Sequence, residues 1–224
     1  MNHRLSVIMV TLNAEDLLRR SLKSVLPIAE EIIVVDAGST DKTLAILQKF
    51  RVRLVRTGEN HLGKNKAKAL SMATGDLVLS LDADEILSAQ LIQTINRIKR
   101  RKIIYDGYVI PFRNHFLGRR LKYGGENYYM IRLGKRKKFK IKKVSVHESL
   151  LLNSKNIATL NSPVMHYSYR SLGQVIRKFS TYSLSEANEK YKTGERSSIK
   201  KIILYPIHMF WARFIKEKGY KDGI

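Results

Sequence analysis

Three carboxylates close a short apolar run. Asp76-Leu77-Val78-Leu79-Ser80-Leu81 reads as a buried β-strand, and Asp82-Ala83-Asp84-Glu85 stands at its far end. Like charges gathered at one point are unfavourable unless something cationic sits among them. Hard divalent ions such as Mg²⁺ and Mn²⁺ take carboxylate oxygens, and Mg²⁺ usually combines one or two of them with substrate phosphates. Asp-x-Asp at a strand end therefore points to a metal-diphosphate site. The competing reading is a cap for the helix that begins near Ser88, because acidic residues favour helix starts and so short a pattern recurs by chance. A second acidic strand end shifts the balance. Glu31-Ile32-Ile33-Val34-Val35-Asp36 is another apolar run that ends in a carboxylate, and Ala37-Gly38-Ser39-Thr40-Asp41 follows it.

The elements that must position these groups are legible in chain order. Ser6–Thr11 is a continuous apolar run suited to a buried parallel strand. A helix with Leu17, Leu18, Leu22 and Val25 on one face follows, with Asn13 expected to cap it and Pro27 beyond its end. After the Glu31 strand comes an amphipathic helix through Leu44, Leu47 and Phe50, then a short strand over 51–55, then a Lys- and Ala-rich helix from Gly63 to Thr74. Alternating strands and helices give a parallel sheet with right-handed crossovers. Ligands of open α/β sheets bind beyond the carboxyl ends of the strands, where Thr11, Asp36, Asp82 and Asp84 all fall. Ser88 caps a helix carrying Leu91, Ile92, Ile95 and Ile98, whose basic end, Arg97 to Lys102, reads as solvated. Beyond it, strands at Gly107–Phe116 and Tyr128–Leu133 with turns at Gly118 and Gly124-Gly125 indicate an antiparallel portion. Helical sequence follows, first with Leu172, Val175, Ile176 and Phe179 on one face and then from Ser197 to Lys218.

Composition narrows the function classes. With 224 residues and 44% hydrophobic content the chain can build a full core, and the absence of cysteine excludes disulfides, thiol catalysis and Cys-based zinc sites. The apolar run at Leu5–Leu12 is too short for a signal peptide and reads as a strand, which predicts a cytoplasmic protein. The 42 Lys and Arg against 19 Asp and Glu, a net charge of +23, attract polyanions: nucleic acid, anionic lipid or phosphorylated glycan. From Arg113 to Lys143 there are twelve Lys or Arg and one acid, Glu126. A run such as Gly134-Lys135-Arg136-Lys137-Lys138 repels itself and is expected beside an anionic partner.

Four ordered blocks, Val7-Ile8-Met9-Val10-Thr11-Leu12-Asn13, Val34-Val35-Asp36-Ala37-Gly38-Ser39-Thr40-Asp41, Gly63-Lys64-Asn65-Lys66 and Leu81-Asp82-Ala83-Asp84-Glu85, resemble the family 2 glycosyltransferases. Val146-His147-Glu148 and Met165-His166-Tyr167-Ser168-Tyr169-Arg170 extend the likeness to the branch of bacterial lipopolysaccharide or lipooligosaccharide inner-core β-1,4-glucosyltransferases. The Lys-Asn pair usual in the third block stands here as Lys66-Ala67. The resemblance implies an α/β chain of GT-A (Rossmann-like) nucleotide-diphospho-sugar transferase fold. It would have a mixed central sheet over 1–170, with a donor half of about 1–100 and an acceptor half of about 101–170. A C-terminal helical segment over 171–224, expected to associate with a membrane, would follow. Related chains continue past Gly219 to Gly223 with further apolar sequence.

The resemblance also assigns roles. It implies inverting transfer of a hexose, glucose in this branch, from a UDP-sugar to a lipopolysaccharide core acceptor with the help of Mg²⁺ or Mn²⁺. Asp84 would hold the metal, Asp82 would face the ribose or metal, Asp36 and Thr11 would line the nucleotide pocket, and Lys66 would reach the diphosphate. His166 is a candidate to complete the metal shell, and Glu148 is the candidate base for the acceptor hydroxyl. The expected partners are the nucleotide-sugar donor, an anionic glycolipid acceptor and the cytoplasmic face of the bacterial inner membrane, with no specific nucleic acid.

Two other functions fit part of the sequence. A nucleic-acid-binding protein suits the charge, but the basic clusters lack interleaved aromatics and no helix-turn-helix, zinc or RNA-recognition signature is present. A sugar-phosphate nucleotidyltransferase would carry a Gly-rich basic segment after the first strand, where this chain has Thr11-Leu12-Asn13-Ala14-Glu15-Asp16.

Overall fold

The structure, a computed structural model, describes residues 2–59, 61–141 and 150–223. The chain forms two compact units, Met1–Phe112 with Tyr129–His166, and Arg113–Tyr128 with Tyr167–Ile224.

In the first unit, β1 (Leu5–Thr11), α1 (Leu18–Val25), β2 (Glu31–Asp36), α2 (Thr43–Leu47), β3 (Arg53–Arg56), α3 (Leu62–Met72) and β4 (Leu77–Ser80) alternate. Four of these strands pair in parallel in the order β3-β2-β1-β4. Such strands are covered on both faces, which is why their sequences are continuous apolar runs: Leu5, Val7, Ile33, Val34, Val35, Leu77, Val78 and Leu79 are fully buried. Then come β5 (Glu85–Leu87), α4 (Ala89–Lys99) and β6 (Gly107–Phe116). After β7 (Arg119–Arg120), which belongs to the second unit, follow β8 (Tyr129–Lys135), β9 (Phe139–Ile141), β10 (Leu150–Leu152), β11 (Ile157–Thr159) and β12 (Val164–Tyr169). Strand β8 joins the parallel set antiparallel to β4, with Leu79 opposite Leu133, and the sheet continues through β6 and β12 to β5. The expected mixed sheet is thus present, and β9 with β10 forms a separate antiparallel pair.

Two local expectations are overturned. Asn13 does not cap α1, which starts at Leu18 without a side-chain cap. Its backbone is left-handed (φ 50°) and its Oδ1 accepts from the Thr40 N–H at 2.9 Å, so it ties the loop after β1 to the loop after β2. Lys99 is not part of a solvated helix end. It occupies the buried face of α4 with Leu91 and Ile95, and its Nζ meets the Ile28 carbonyl and, at 2.7 Å, Glu30 Oε1.

This pair yields a prediction. Burial pushes the Glu30 carboxyl up, but the Lys99 ammonium and the Leu5 N–H outweigh it and hold it below its ordinary value. Its stabilising contribution is therefore full above the unfolded carboxyl value near 4.5 and is lost as pH falls through the lower folded value. Lys99→Met should destabilise by about 1–3 kcal/mol at pH 7, below the usual toll for a fully buried pair because Glu30 is a third exposed. Urea denaturation should show the deficit narrowing at pH 3; an equal loss at both pH values would remove the carboxylate from the account.

The second unit is built on α5 (Leu172–Lys192), capped by Ser171, and α6 (Ile199–Phe210), capped by Ser198. A π-helical turn, Trp211–Lys216, and a 3₁₀ turn, Gly219–Asp222, end it. The Asp222 carboxylate accepts from the Lys122 and Tyr123 N–H groups, and Arg213 Nη1 donates to the Gly124 carbonyl, so the chain end is fastened to the glycine turn of 113–128. The apolar side of α6 is uncovered within this unit: Ile199, Ile202, Ile203, Phe210 and Trp211 are each more than half exposed. Among the described residues, no helix is long and apolar enough to cross a membrane.

Candidate active site

Register brings the two acidic strand ends together. Thr11 pairs with Asp36 across β1 and β2, and Ile8 pairs with Ser80 across β1 and β4, so the loops after β2 and β4 open at the same end of the sheet.

The first loop is shaped by a carboxylate turned inward. Asp36 Oδ1 accepts from the Thr11 and Ser39 hydroxyls, and Oδ2 accepts from the Gly38 and Ser39 N–H groups at 3.1 and 2.9 Å. Gly38 permits this arrangement because its φ of 102° is poorly tolerated by residues with a Cβ. Burial pushes the Asp36 carboxyl up, but the Ser39, Gly38 and Thr11 donors prevail and keep it ionised below the ordinary range. Thr11 and Asp36 are themselves buried, so they act through the loop they hold and not through exposed side chains. Asp41 ties the loop after β2 to the loop after β1, its Oδ1 accepting from the Thr43 N–H at 2.9 Å and its Oδ2 from the Glu15 N–H at 3.1 Å. Asn65, not singled out in the sequence, is buried and braces the neighbouring loop through Thr57 and the Glu59 carbonyl.

The second loop is the acidic one. Asp82 lies between two cations: Lys66 Nζ stands 2.8 Å from Oδ1, and Arg132 Nη2 stands 3.0 Å from Oδ2. Burial pushes the Asp82 carboxyl up, but Lys66 and Arg132 more than reverse this and hold it far below the carboxylate range. The same Arg132 nitrogen lies 2.8 Å from Glu85 Oε1. Glu85 is completely buried, and burial, reinforced by the Asp82 charge, lifts its carboxyl to about 7 against the pull of Arg132. Asp84 Oδ1 stands 3.6 Å from His166 Nε2, and β12 brings this histidine to the loop by pairing His166 with Glu85. Burial lowers the His166 value, but the Asp84 carboxylate and the nearby Glu85 and Asp82 charges raise it on balance.

Of the seven candidate residues, Thr11 and Asp36 meet at one loop, and Lys66, Asp82, Asp84 and His166 meet at the other. Glu148 lies outside the described residues. Arg132 and Glu85 were missed as site residues. The run Lys135–Lys138 does not reach this end of the sheet: Lys135 pairs with Leu77, the first residue of β4, and the run lines a cleft of about 410 Å³ with His3, Asp76 and Asp106 at the opposite end.

Among the described residues no three His, Cys, Asp or Glu side chains form a cage for a metal ion. Asp84 with His166 nonetheless offers one hard oxygen and one imidazole, which fits an ion that takes its other ligands from phosphates and water.

The sequence pattern of glycosyl transferase family 2 matches residues 6–158, more than half of the chain. The chain belongs to glycosyl transferase family 2. It is 27% identical over 249 residues to an uncharacterized glycosyltransferase of Rickettsia conorii, covering 100% of this chain and 83% of the relative. It is 24% identical over 233 residues to the lipopolysaccharide core biosynthesis glycosyltransferase LpsC of Rhizobium meliloti, covering 98% of this chain and 84% of that one. Among solved structures, Staphylococcus aureus TarS superposes with a TM-score of 0.56 at 20% identity over 73% of this chain and 36% of TarS. A shorter TarS chain gives 0.52 at 18% identity and covers 74% of this chain and 60% of that one. The fold of this family 2 glycosyltransferase is the GT-A fold, as the four blocks imply.

Proposed function

We propose that this chain transfers a hexose, glucose, from a UDP-sugar to the core of a lipopolysaccharide or lipooligosaccharide, with inversion at the anomeric carbon and with Mg²⁺ or Mn²⁺ at Asp84. The observation that carries this reading is the convergence of the Asp36 loop and the Asp82–Glu85 loop at one end of a parallel sheet. The core acceptor is supported by the likeness to LpsC, and the metal by the family match together with the pairing of Asp84 and His166.

In this mechanism the buried Thr11–Asp36 pair fixes the loop that walls the nucleotide. Asp82 orients Lys66 beside the diphosphate and stands toward the ribose. Asp84 and His166 would hold a divalent cation, which when bound would supply Lewis-acid neutralisation of the departing diphosphate. Glu148 takes the proton of the acceptor hydroxyl as that oxygen attacks the anomeric carbon; the carbon–oxygen bond to the nucleoside diphosphate breaks on the opposite face. The direct test is incubation with UDP-glucose, Mn²⁺ and a truncated core glycolipid, with the product's anomeric configuration read by NMR. A β-linked product is expected, and an α-linked product or hydrolysis alone would reject the reading.

The second unit supports a place at the membrane surface. Its exposed Ile199, Ile202, Ile203, Phe210 and Trp211 are bordered by Lys200, Lys201, Arg213, Lys216 and Lys218, the pattern of a helix lying in an anionic interface. Trp211 fluorescence should shift to the blue on anionic vesicles, with weaker binding to neutral ones and at high salt. Deletion from Ser197 onward should impair vesicle binding and spare donor affinity; unchanged vesicle binding would assign the membrane role to another basic surface.

A further inference from the structure

Lys66, Asp82, Glu85 and Arg132 form a chain of charges in which Lys66, Glu85 and Arg132 are all buried. Removing such groups from water costs several kcal/mol each, and well-packed apolar residues would often serve stability as well or better. The network's geometry is informative. The Glu85 N–H donates to the Asp82 carbonyl at 3.0 Å, which closes a β-turn with Ala83 and Asp84 at its centre. Glu85 Oε2 reaches back to the Asp82 N–H at 2.9 Å, a reciprocal lock like that of a capping box. Arg132 then bridges the side chains of the first and last residues of the turn. Its guanidinium also lies over the Phe112 ring, 5.3 Å from the centroid, and the same ring meets His166 edge-on at 6.1 Å. Thus one side chain on β8 fixes both ends of the turn that carries Asp84, and through Phe112 it backs His166.

We propose that Arg132 is the positioning residue of the donor site: with Glu85 it locks the Asp82–Glu85 turn in the conformation that presents Asp84 to the metal-bound diphosphate. Arg132 is buried and its Nη2 is taken up by Asp82 and Glu85, so its part is to position the turn. Arg132 serves both carboxylates through Nη2 while its planar guanidinium lies over the Phe112 ring, and the shorter, non-planar lysine side chain cannot keep all of these contacts at once. The inference rests on the metal-diphosphate reading of the preceding subsection.

The test is calorimetric titration of the full chain and its variants with UDP, first with Mn²⁺ and then in excess chelator. Groups that orient metal ligands typically contribute about 10–100-fold to metal affinity or activity. Arg132→Lys should weaken Mn²⁺-dependent UDP binding by about that factor and leave the chelator-resistant affinity, which reports the Asp36 loop, within about two-fold. Glu85→Gln keeps the shape of the buried side chain and should weaken the same Mn²⁺-dependent step. The double variant should be no worse than the more affected single one, because both break the same lock. Equal Mn²⁺-dependent affinity in parent and folded Arg132→Lys, or in Glu85→Gln should Arg132→Lys not fold, would overturn the inference and leave Arg132 a stabilising residue. Failure of the parent itself to bind UDP with Mn²⁺ would instead bring down the underlying metal-diphosphate reading.

Discussion

Replacing Asp84 with asparagine is expected to abolish transfer while the protein remains folded. The side chain sits at the centre of a turn and is a quarter exposed, so the near-isosteric change disturbs little packing. In the proposed mechanism, loss of the anionic oxygen removes the charged one of the metal's two protein ligands, and with it neutralisation of a diphosphate that departs with its full charge. A loss of about 4 kcal/mol in transition-state stabilisation corresponds to roughly a thousand-fold in rate. Metal-dependent nucleotide binding should fall with it. Undiminished transfer by Asp84→Asn, or full activity of the parent in excess chelator, would remove the metal from Asp84.

Glu148→Gln should separate binding from chemistry. Glutamine keeps the shape of the side chain but cannot accept the acceptor's proton, so donor affinity should stay near that of the parent while transfer falls about 10²–10⁴-fold. Parallel measurement of donor affinity and single-turnover transfer distinguishes this from a folding defect. Normal transfer by Glu148→Gln would mean that another carboxylate serves as the base.

The elements of the first unit were legible because burial on both faces of a parallel sheet leaves an unmistakable sequence trace. The strand over Glu31–Asp36 was read to the residue, and Ser88 caps its helix through the Leu91 N–H as expected. What stayed hidden were basic residues doing buried work. Lys99 sits in a stretch of six positions that contains five Lys or Arg, and nothing local distinguishes it from its solvated neighbours until Glu30 and the Ile28 carbonyl are brought to it. Arg132 likewise stood in the long basic stretch from Arg113 to Lys143. Its link to Asp82, fifty positions earlier, exists only because β8 runs antiparallel to β4 with Leu133 opposite Leu79. The signal that could have found it is its spacing. Arg132 lies inside an apolar strand sequence, Met130-Ile131-Arg132-Leu133, where a charge is out of place unless it has a buried partner. Asn13 misled for a related reason: asparagine favours both helix caps and left-handed turns, and only the Thr40 N–H decided between them.

The reading of the long basic stretch changes as well. Lys135 and Lys138 are engaged by Asp106, and Arg136 donates to the Gly75 carbonyl, all at the end of β4 remote from the acidic loop. Selection of an anionic acceptor is therefore not assigned to this run.

The central claim, a metal-assisted nucleotide-diphosphate site between the two loops, is tested most directly by the melting temperature of the full chain with UDP and UDP-glucose, each with Mn²⁺ and with excess chelator. A ligand at about 100 times its Kd stabilises the native state by roughly 2.7 kcal/mol. Both nucleotides should raise the melting temperature by several degrees with Mn²⁺ and distinctly less with chelator. No rise with either nucleotide in Mn²⁺, or an equal rise with and without the metal, would contradict the account.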